Sequence, residues 1–515
     1  MPYRVSRRDL LSLAGGVIAG GVLPGAASAQ PAAPSPFQPV AEGQAFEPAG
    51  VVDVARQLAR RPYAAPPNDL PEEFARLSFE QYAGIRARPE TLIWAGEGRG
   101  FRIEPLHRGF VYANPVALFI VEDGTVRRIV YDRNRFDFGR VAAQGPAADI
   151  GYSGIRLQAT QGGGAPFDFA VLQGASFFRA LARGQTYGVV SRALTLKPAE
   201  TRGEEFPLSR AFWIERPAAG STALVLHALL DTESASGAAR MTFRPGDMTI
   251  IDVELTLFPR VNLDHVGLGA MASTYLFGPN DRRNVDDARP AVHDSTGLRM
   301  LTGGGEWLWR PLQNPETLQL SAFVDRNPRG FGLVQRERDP AHFQDDEQRW
   351  ETRPTLWTEP LGEWGQGVVQ LIEIPSDSEI NDNVLAYWRP RAPVPAGSEY
   401  AVAYRQFWGW GQPERPPLAT VSTSLVGRGS QGRRRRFIVD FAGDELGAPL
   451  PDMRPILSTS PGSIQGLRVW PYPERKTIRV GFELDPGNEN ACEMRLLLEA
   501  GGKPITETWL YRWTP

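Results

Sequence analysis

The chain has 515 residues, of which 42 % are hydrophobic and 10 % aromatic, so it can form two or three packed domains. Its net charge of −3 excludes the strongly basic character that binding to nucleic acid or to an anionic membrane requires. The 53 glycines and 45 prolines follow no collagen-like period and indicate many short strands joined by turns.

The first 29 residues have the three parts of a secretory signal. The pair Arg7-Arg8 precedes an apolar stretch at 10–23, and the small residues Ala27-Ser28-Ala29 follow. The adjacent arginines favour export by the twin-arginine route, with cleavage near Ala29. Residues 30–45, rich in Ala, Pro and Gln, are predicted to form a disordered leader.

After the leader, the spacing of apolar residues predicts two helices and then strands. The helices are predicted within 50–66, where Pro62 ends the first, and within 70–85. The stretch 100–132 predicts three strands, with Glu122-Asp123-Gly124 closing a hairpin. The same alternation continues toward the C-terminus, so the predicted fold class is all-β.

A proline-rich segment divides this predicted fold. Pro390, Pro393 and Pro395 make 389–396 a stiff, extended linker. Six or seven short alternating segments follow at 397–515, a number and length typical of an immunoglobulin-like sandwich. The sequence therefore predicts a large β domain at 46–388, the linker, and a small β-sandwich at 397–515.

Motifs of several enzyme classes are missing from the sequence. The five histidines form no pair at metal-ligand spacing, and no G-x-S-x-G marks a serine nucleophile. No glycine-rich stretch opens a helix after a parallel strand, as a phosphate-binding loop does. Neither a metal nor another cofactor is therefore predicted.

Acidic and aromatic residues are clustered instead. Two stretches, 293–310 and 350–364, contain His293, Asp294, Trp307, Trp309, Arg310, Trp350, Arg353, Trp357, Glu359 and Trp364. Sugars present apolar C–H faces rimmed by hydroxyls, which suit aromatic rings with arginine and carboxylate partners. The alternative interpretation is that the tryptophans fill the core of a large sandwich.

A polar turn follows within "VVQLIEIPSDSEINDNVLAYW", residues 368–388. It places Asp377, Glu379 and Asp382 between two apolar runs. Such a turn is either a solvated hairpin tip or part of a site that moves protons, because glycosidic cleavage needs two carboxyl groups.

Several long segments carry a family resemblance, among them "GEEFPLSRAFWIERP", "NPRGFGLVQRERD", "RPTLWTEPLGEWGQGVVQLIEIP" and "DNVLAYW". They resemble the bacterial periplasmic glucan biosynthesis proteins G and D, a family also grouped as glycoside hydrolases that act on β-1,2-glucan. The resemblance runs from about residue 46 to the C-terminus, and the twin-arginine signal is more like that of the D member. It implies a periplasmic protein with a large N-terminal galactose-mutarotase-like super-sandwich, a long cleft and an immunoglobulin-like C-terminal sandwich.

The resemblance also implies residue roles in an inverting mechanism. Asp382 corresponds to the family's general acid, and Asp294, first aspartate of an H-D-S-D motif, corresponds to its general base. Glu379 is implied to orient the sugar or the acid, unless it is only a turn residue. His293 is implied to support Asp294, unless it is simply a packed histidine. The implied partners are β-1,2-glucan and, as a possibility, the membrane glucan glucosyltransferase, with no nucleic acid and no metal.

Two positions depart from the family pattern. Thr296 replaces the second aspartate of H-D-S-D, and Trp350 stands where the family usually has a tyrosine. An indole N–H can only donate, so it cannot pass a proton as a hydroxyl can. Three functions therefore remain open: an inverting endo-β-1,2-glucanase, a transglycosylase that branches or cyclises the glucan, and a non-catalytic glucan-binding partner of the glucosyltransferase.

Overall fold

The computed structural model describes residues 42–67, 69–141, 149–160, 165–200, 203–283, 285–414, 416–448 and 450–515. The predicted signal peptide and most of the predicted leader lie outside these ranges. At the end of the leader, Gly43 donates its N–H to Val126 and Ala45 forms a β-bridge with Thr125. Within the described ranges, no helix combines the length and apolar character that crossing a membrane requires.

Three α-helices occur in the described chain: α1 Pro48–Ala59, α2 Glu72–Ala75 and α3 Phe79–Gly84. As predicted, α1 has one buried face and ends shortly before Pro62. The second predicted helix is instead two short ones. The break has a local cause, because Ser78 and Gln81 exchange side-chain and backbone hydrogen bonds and so start a new helix at Phe79.

Apart from short 3-10 helices, the remaining regular structure of the described chain is β, which confirms the predicted fold class. The strands up to residue 273 are β1 Arg86–Ala87, β2 Phe101–Leu106, β3 Ala117–Glu122, β4 Thr125–Arg128, β5 Phe136–Asp137, β6 Gly154–Ala159, β7 Phe167–Gln173, β8 Phe177–Ala180, β9 Val190–Arg192, β10 Thr195–Leu196, β11 Leu208–Glu215, β12 Leu224–Asp231, β13 Ala235–Arg244, β14 Met248–Pro259 and β15 Val266–Ser273. Those that follow are β16 Tyr275–Phe277, β17 Val292–His293, β18 Gly297–Leu301, β19 Trp307–Pro311, β20 Gln319–Arg326, β21 Gly330–Val334, β22 Thr355–Leu361, β23 Gln366–Glu373, β24 Val384–Pro390, β25 Tyr400–Gly409, β26 Thr420–Arg428, β27 Arg435–Ala442, β28 Arg454–Ser460, β29 Ser463–Tyr472, β30 Thr477–Asp485, β31 Cys492–Ala500, β32 Lys503–Pro504 and β33 Thr508–Trp513.

By contacts the chain divides into two units. The first comprises the described residues of Met1–Met271 together with Tyr387–Gly409, and the second comprises Ala272–Ala386 and Trp410–Pro515. The predicted domain limits differ from these, because β25 pairs over its whole length with β14 and belongs to the first unit.

In the first unit, neighbouring strands follow the order β25-β14-β13-β12-β11-β3-β4, and β2-β6-β7-β8-β9 form another run. The hairpin predicted at Glu122-Asp123-Gly124 joins β3 to β4. Asp123 and Gly124 both have positive φ, which is the backbone of a tight hairpin turn. The buried residues of α1 share a hydrophobic cluster with Phe119 of β3 and Trp213 of β11.

In the second unit, β22-β21-β18-β19 form an antiparallel run that β33 extends in parallel. The strands β26-β27-β30-β29 form a separate four-stranded sheet. A core containing Phe437, Phe482 and Trp509 lies between that sheet and the run β28-β31-β33, so these strands form a two-layered sandwich. Trp309 and Val334 belong to the same core and tie β19 and β21 to the C-terminal strands.

The buried carboxylate of Glu507, directly before β33, also links the C-terminal strands to β18 and to the chain after β21. The Glu507 side chain accepts hydrogen bonds from Arg299 at 2.8 Å, from Arg336 at 2.7 and 3.0 Å, and from the Val421 N–H at 2.7 Å. Burial on its own would raise the pKa of Glu507, but the Arg336 and Arg299 guanidiniums and these hydrogen bonds lower it. The carboxylate is therefore ionised and fully paired at neutral pH.

Candidate functional site

Asp294 lies directly after β17 in the second unit and is 1 % exposed. Its N–H donates to the Thr274 carbonyl at 2.9 Å. Its Oδ1 lies 3.4 Å from Nε of Arg353, which is also buried. A buried carboxylate is tolerated when a cation stands beside it, so Arg353 holds Asp294 in place as an ion pair.

The polar turn that carries Asp382 is fixed by its two asparagine neighbours. The buried Asn383 side chain accepts the Tyr275 N–H at 2.8 Å and donates to the carbonyls of Tyr275 at 2.9 Å and Ile374 at 3.1 Å. On the other side of Asp382, the Asn381 carbonyl accepts the Thr274 hydroxyl at 2.8 Å. The segment is therefore anchored on the chain beside β16 and is not a free hairpin tip.

Thr274 and Tyr275 thus stand between the two aspartates. The carbonyl of Thr274 binds Asp294, and its hydroxyl binds the residue that precedes Asp382. Tyr275, in β16, exchanges two hydrogen bonds with the side chain of the residue that follows Asp382. Its strand pairs with β17, which leads into Asp294. Thr274 and Tyr275 therefore help to hold both aspartates, although these are remote in sequence. Thr274 binds the backbone of Asp294, and the two residues together bind the neighbours of Asp382.

Glu379 belongs to a charged network beside this turn. Arg289 donates to the Glu379 carboxylate and to the Asp345 carboxylate, each at 2.7 Å, and the Trp350 indole donates to Asp345 at 2.9 Å. Burial would raise the pKa of Asp345, but hydrogen bonds from the Gln348 N–H, Arg289 and Trp350 lower it below its usual value. Glu379 is thus oriented by a guanidinium that a second carboxylate fixes.

Trp350 connects this network to the buried ion pair. It is fully buried, and the Cζ atom of Arg353 lies 5.3 Å from its ring centroid. Contacts therefore continue from Glu379 through the Arg289 network and Trp350 to Arg353 and Asp294. Four of the predicted site residues lie along this one path, including Asp294, the predicted base.

His293 is packed among aromatic rings. Its ring stacks on Tyr275 with centroids 5.4 Å apart and meets Phe343 edge-on at 5.0 Å. Gln335 donates to its Nδ1 at 3.3 Å and to the Trp350 carbonyl at 3.2 Å. Thr296 donates to the same Gln335 side chain at 2.6 Å. The two positions that depart from the family pattern thus meet at one glutamine, and a role of His293 in supporting Asp294 stays a prediction.

Trp307, Trp357 and Glu359 form a separate group on β19 and β22. The two indoles stack with centroids 5.8 Å apart, and the Trp357 indole donates to Glu359 at 2.9 Å. Both rings are buried, and Arg299 lies 4.9 Å from the Trp307 ring. Their predicted contact with sugar stays a prediction, since these contacts already account for their position.

Trp309 and Arg310 make core contacts. Trp309 lies in the sandwich core, with Arg336 at 3.4 Å from its ring centroid. Arg310 pairs with Glu373 at 3.1 Å, and both side chains are buried. The packing alternative that the sequence left open describes these two positions well, and a substrate-binding role for them stays a prediction.

A cleft of about 750 Å³ borders the polar turn at Pro375, Ser376, Asp377 and Asn381. This volume is in the range of ligand sites. Asp281 also lines the cleft, where burial raises its pKa and Arg283 opposes that shift. A carboxyl with a raised pKa in a cleft is typical of functional sites.

Comparison with known proteins decides the family. The model of the family described as "Periplasmic glucan biosynthesis protein, MdoG" matches residues 46–513. The chain belongs to this family. The chain is 43 % identical over 473 residues to "Glucans biosynthesis protein G" of Bradyrhizobium diazoefficiens, covering 91 % of this chain and 94 % of that protein. Proteins of the same name from Rhodopseudomonas palustris and Shewanella baltica are 45 % and 46 % identical, over 91 % of this chain and 94 % and 88 % of theirs.

In this MdoG-family protein, sequence reasoning missed Arg289 and Asp345. Both lie in charged stretches, "DDARP" and "FQDDEQRW", that resemble solvated loops. It also missed Thr274 and Tyr275, whose sequence gives no sign that they contact segments far along the chain. Of the residues predicted from sequence, Glu379 contacts Arg289 and Trp350 contacts Asp345, and only these two indicated the network.

Replacing Asn383 with Ala in this MdoG-family protein is expected to lower the free energy of unfolding by about 1–3 kcal/mol, because the Tyr275 N–H and two carbonyls lose a buried partner. Urea unfolding measures the loss. Asn381→Ala is the matched control, because the Asn381 side chain is exposed and makes a single 3.3 Å contact with Ser376. Equal stability of the two variants would show that Asn383 does not anchor the turn.

Proposed function

We propose that this protein is an inverting endo-β-1,2-glucanase of the periplasm, with Asp382 as general acid and Asp294 as general base. The observation that supports it best is the anchoring of both aspartates on Thr274 and Tyr275. We further propose export by the twin-arginine route with cleavage near Ala29, so that the exported chain begins at Gln30, and the membrane glucan glucosyltransferase as a partner.

In this reaction Asp382 donates its proton to the glycosidic oxygen while the bond from that oxygen to C1 breaks. Asp294 takes a proton from a water molecule that attacks C1 from the opposite face, so the new reducing end has the inverted configuration. Inversion requires the two carboxyl groups to stand about 6.5–9.5 Å apart, or further if waters and hydroxyls relay the proton. Asp294 accepts the proton as a carboxylate held by Arg353.

The Arg289 network has a positioning role in this proposal. Glu379 is fixed by Arg289 on the turn three residues before Asp382. Its remaining oxygen can accept from a sugar hydroxyl, and its negative charge favours the protonated form of a nearby acid. In this proposal Glu379 is a carboxylate that influences the acid and takes no part in breaking the glycosidic bond.

Trp350 supports a second candidate function. The indole is buried and donates to Asp345, and an indole N–H can only donate. It therefore cannot pass a proton from the attacking water, as the tyrosine hydroxyl usual in the family could. A glucan hydroxyl in place of water would make the protein a transglycosylase that branches or cyclises the chain. The non-catalytic alternative is a glucan-binding partner of the glucosyltransferase.

Incubation with linear β-1,2-glucan separates these functions. The endo-glucanase produces reducing ends of inverted configuration in step with the shortening of the chains. New linkages without a matching rise in reducing ends would select the transglycosylase. Binding with neither change in the glucan would select the non-catalytic partner and end the enzyme proposal.

A further inference from the structure

The four-stranded sheet β26-β27-β30-β29 exposes two aromatic side chains on its edge strand. Trp470 and Tyr472 lie two residues apart in β29, so they point to the same face. Trp470 is 40 % exposed and Tyr472 is 36 % exposed, although large aromatic side chains are usually more deeply buried. Aromatic side chains left this open on one sheet face indicate a binding surface.

A glycine on the neighbouring strand sets the position of the indole. A Cβ atom at Gly481 would lie 2.8 Å from the Trp470 ring, so the ring rests close against the β30 backbone. Any side chain at 481 would lift it away. The indole therefore lies along the sheet with its remaining surface open to solvent, as a platform for a flat apolar ligand.

Fixed charges surround this platform. Arg479 donates two hydrogen bonds to Asp440, both at 2.8 Å. Arg436 donates two to Glu483, at 2.8 and 3.2 Å. Together with Arg468, which pairs with Gly481 across the strands, several of these side chains line a groove of about 480 Å³. Arg479, Arg436 and Glu483 are oriented by their ion pairs, so a ligand need not order them.

We propose that this groove is a second glucan-binding site, which takes a short stretch of a β-linked glucose chain. Trp470 and Tyr472 stack on the C–H faces of the sugar rings, and the arginines and carboxylates bind the hydroxyls at their rims. The ligand class rests on the proposed function, whereas the groove lies on strands that carry neither Asp294 nor Asp382. Arg479 and Arg436 are each already paired with a carboxylate, which suits a neutral sugar better than a polyanion.

A second copy of the chain is the competing occupant, because β29 is an edge strand. The register between β29 and β30 shifts between Gln465 and Arg468, which marks an irregularity of the bulge type. Bulges twist an edge and disfavour pairing with another strand. The groove therefore favours a ligand that binds side chains over one that binds the strand backbone.

Hydrogen exchange of the exported full chain carrying Asp382→Asn, with and without linear β-1,2-glucan, tests the site. Glucan is expected to protect peptides spanning 463–485, and Trp470→Ala in the same background is expected to abolish that protection and weaken glucan binding there about tenfold. Leu467→Ala is the matched control: Leu467 lies on the same strand, is 41 % exposed and does not line the groove.

Protection confined to residues near 274–294 and 374–383 would overturn the proposal. So would a dimer, seen in sedimentation, that Trp470→Ala dissociates, because the occupant would then be a second copy. A thermal unfolding curve matching that of Leu467→Ala verifies that Trp470→Ala is folded. The protection is measured without turnover, so a protein that binds at 463–485 yet never cleaves glucan would contradict only the proposed function.

Discussion

Asp382→Asn is expected to lower kcat on linear β-1,2-glucan by about 100- to 10,000-fold, the usual contribution of a general acid. The amide keeps the size of the side chain but has no proton of suitable acidity for the leaving oxygen. Because the acid acts mainly in the transition state, KM is expected to change little. Steady-state release of reducing ends measures both constants.

Asp377→Asn provides the comparison for Asp382→Asn. Asp377 is exposed on the same turn and borders the cleft, so its replacement makes the same carboxyl-to-amide change five residues away. We expect it to change kcat by less than about tenfold. Equal losses in the two variants would mean that the charge of the turn matters and that Asp382 is not the acid.

The largest effect on stability is expected for Glu507→Ala. Its removal leaves the buried Arg299 and the half-buried Arg336 without their anion, and breaking a buried pair in this way typically costs about 3–5 kcal/mol. Urea unfolding of the full chain measures the loss. Asp444→Ala, which breaks an exposed pair with Lys476, is expected to leave the unfolding curve nearly unchanged. Similar curves for the two variants would show that Glu507 does not hold the C-terminal strands to β18 and β21.

The local structure could be predicted from sequence where short-range patterns determine it. Spacing of apolar residues predicts α1, and Asp123-Gly124 predicts the β3–β4 hairpin. The break between α2 and α3 follows from the Ser78 capping box, a signal that a long apolar pattern hides. The parallel pairing of β19 with β33 joins strands remote in sequence, and no local pattern encodes it.

The candidate site could be predicted only in part for the same reason. Asp294 and Asp382 stand in motifs, so resemblance identifies them. Alternation along β19 gives Trp307 and Trp309 the same face, but sequence does not say whether that face meets a core or a groove. Trp309 meets a core. Arg289 joins three carboxylates from different loops, an arrangement that exists only in the folded chain.

The crystal structure of the Asp382→Asn protein with a bound β-1,2-glucan oligosaccharide tests the central claim most directly. We expect the side chain at 382 to lie within hydrogen-bond distance of a glycosidic oxygen, directly or through one hydroxyl. Asp294 is expected on the opposite face of the same sugar ring, in contact with a water molecule or a relay leading to it. A glucan chain bound elsewhere, or one that leaves Asp294 sealed from solvent and substrate, would contradict the assignment of the two aspartates.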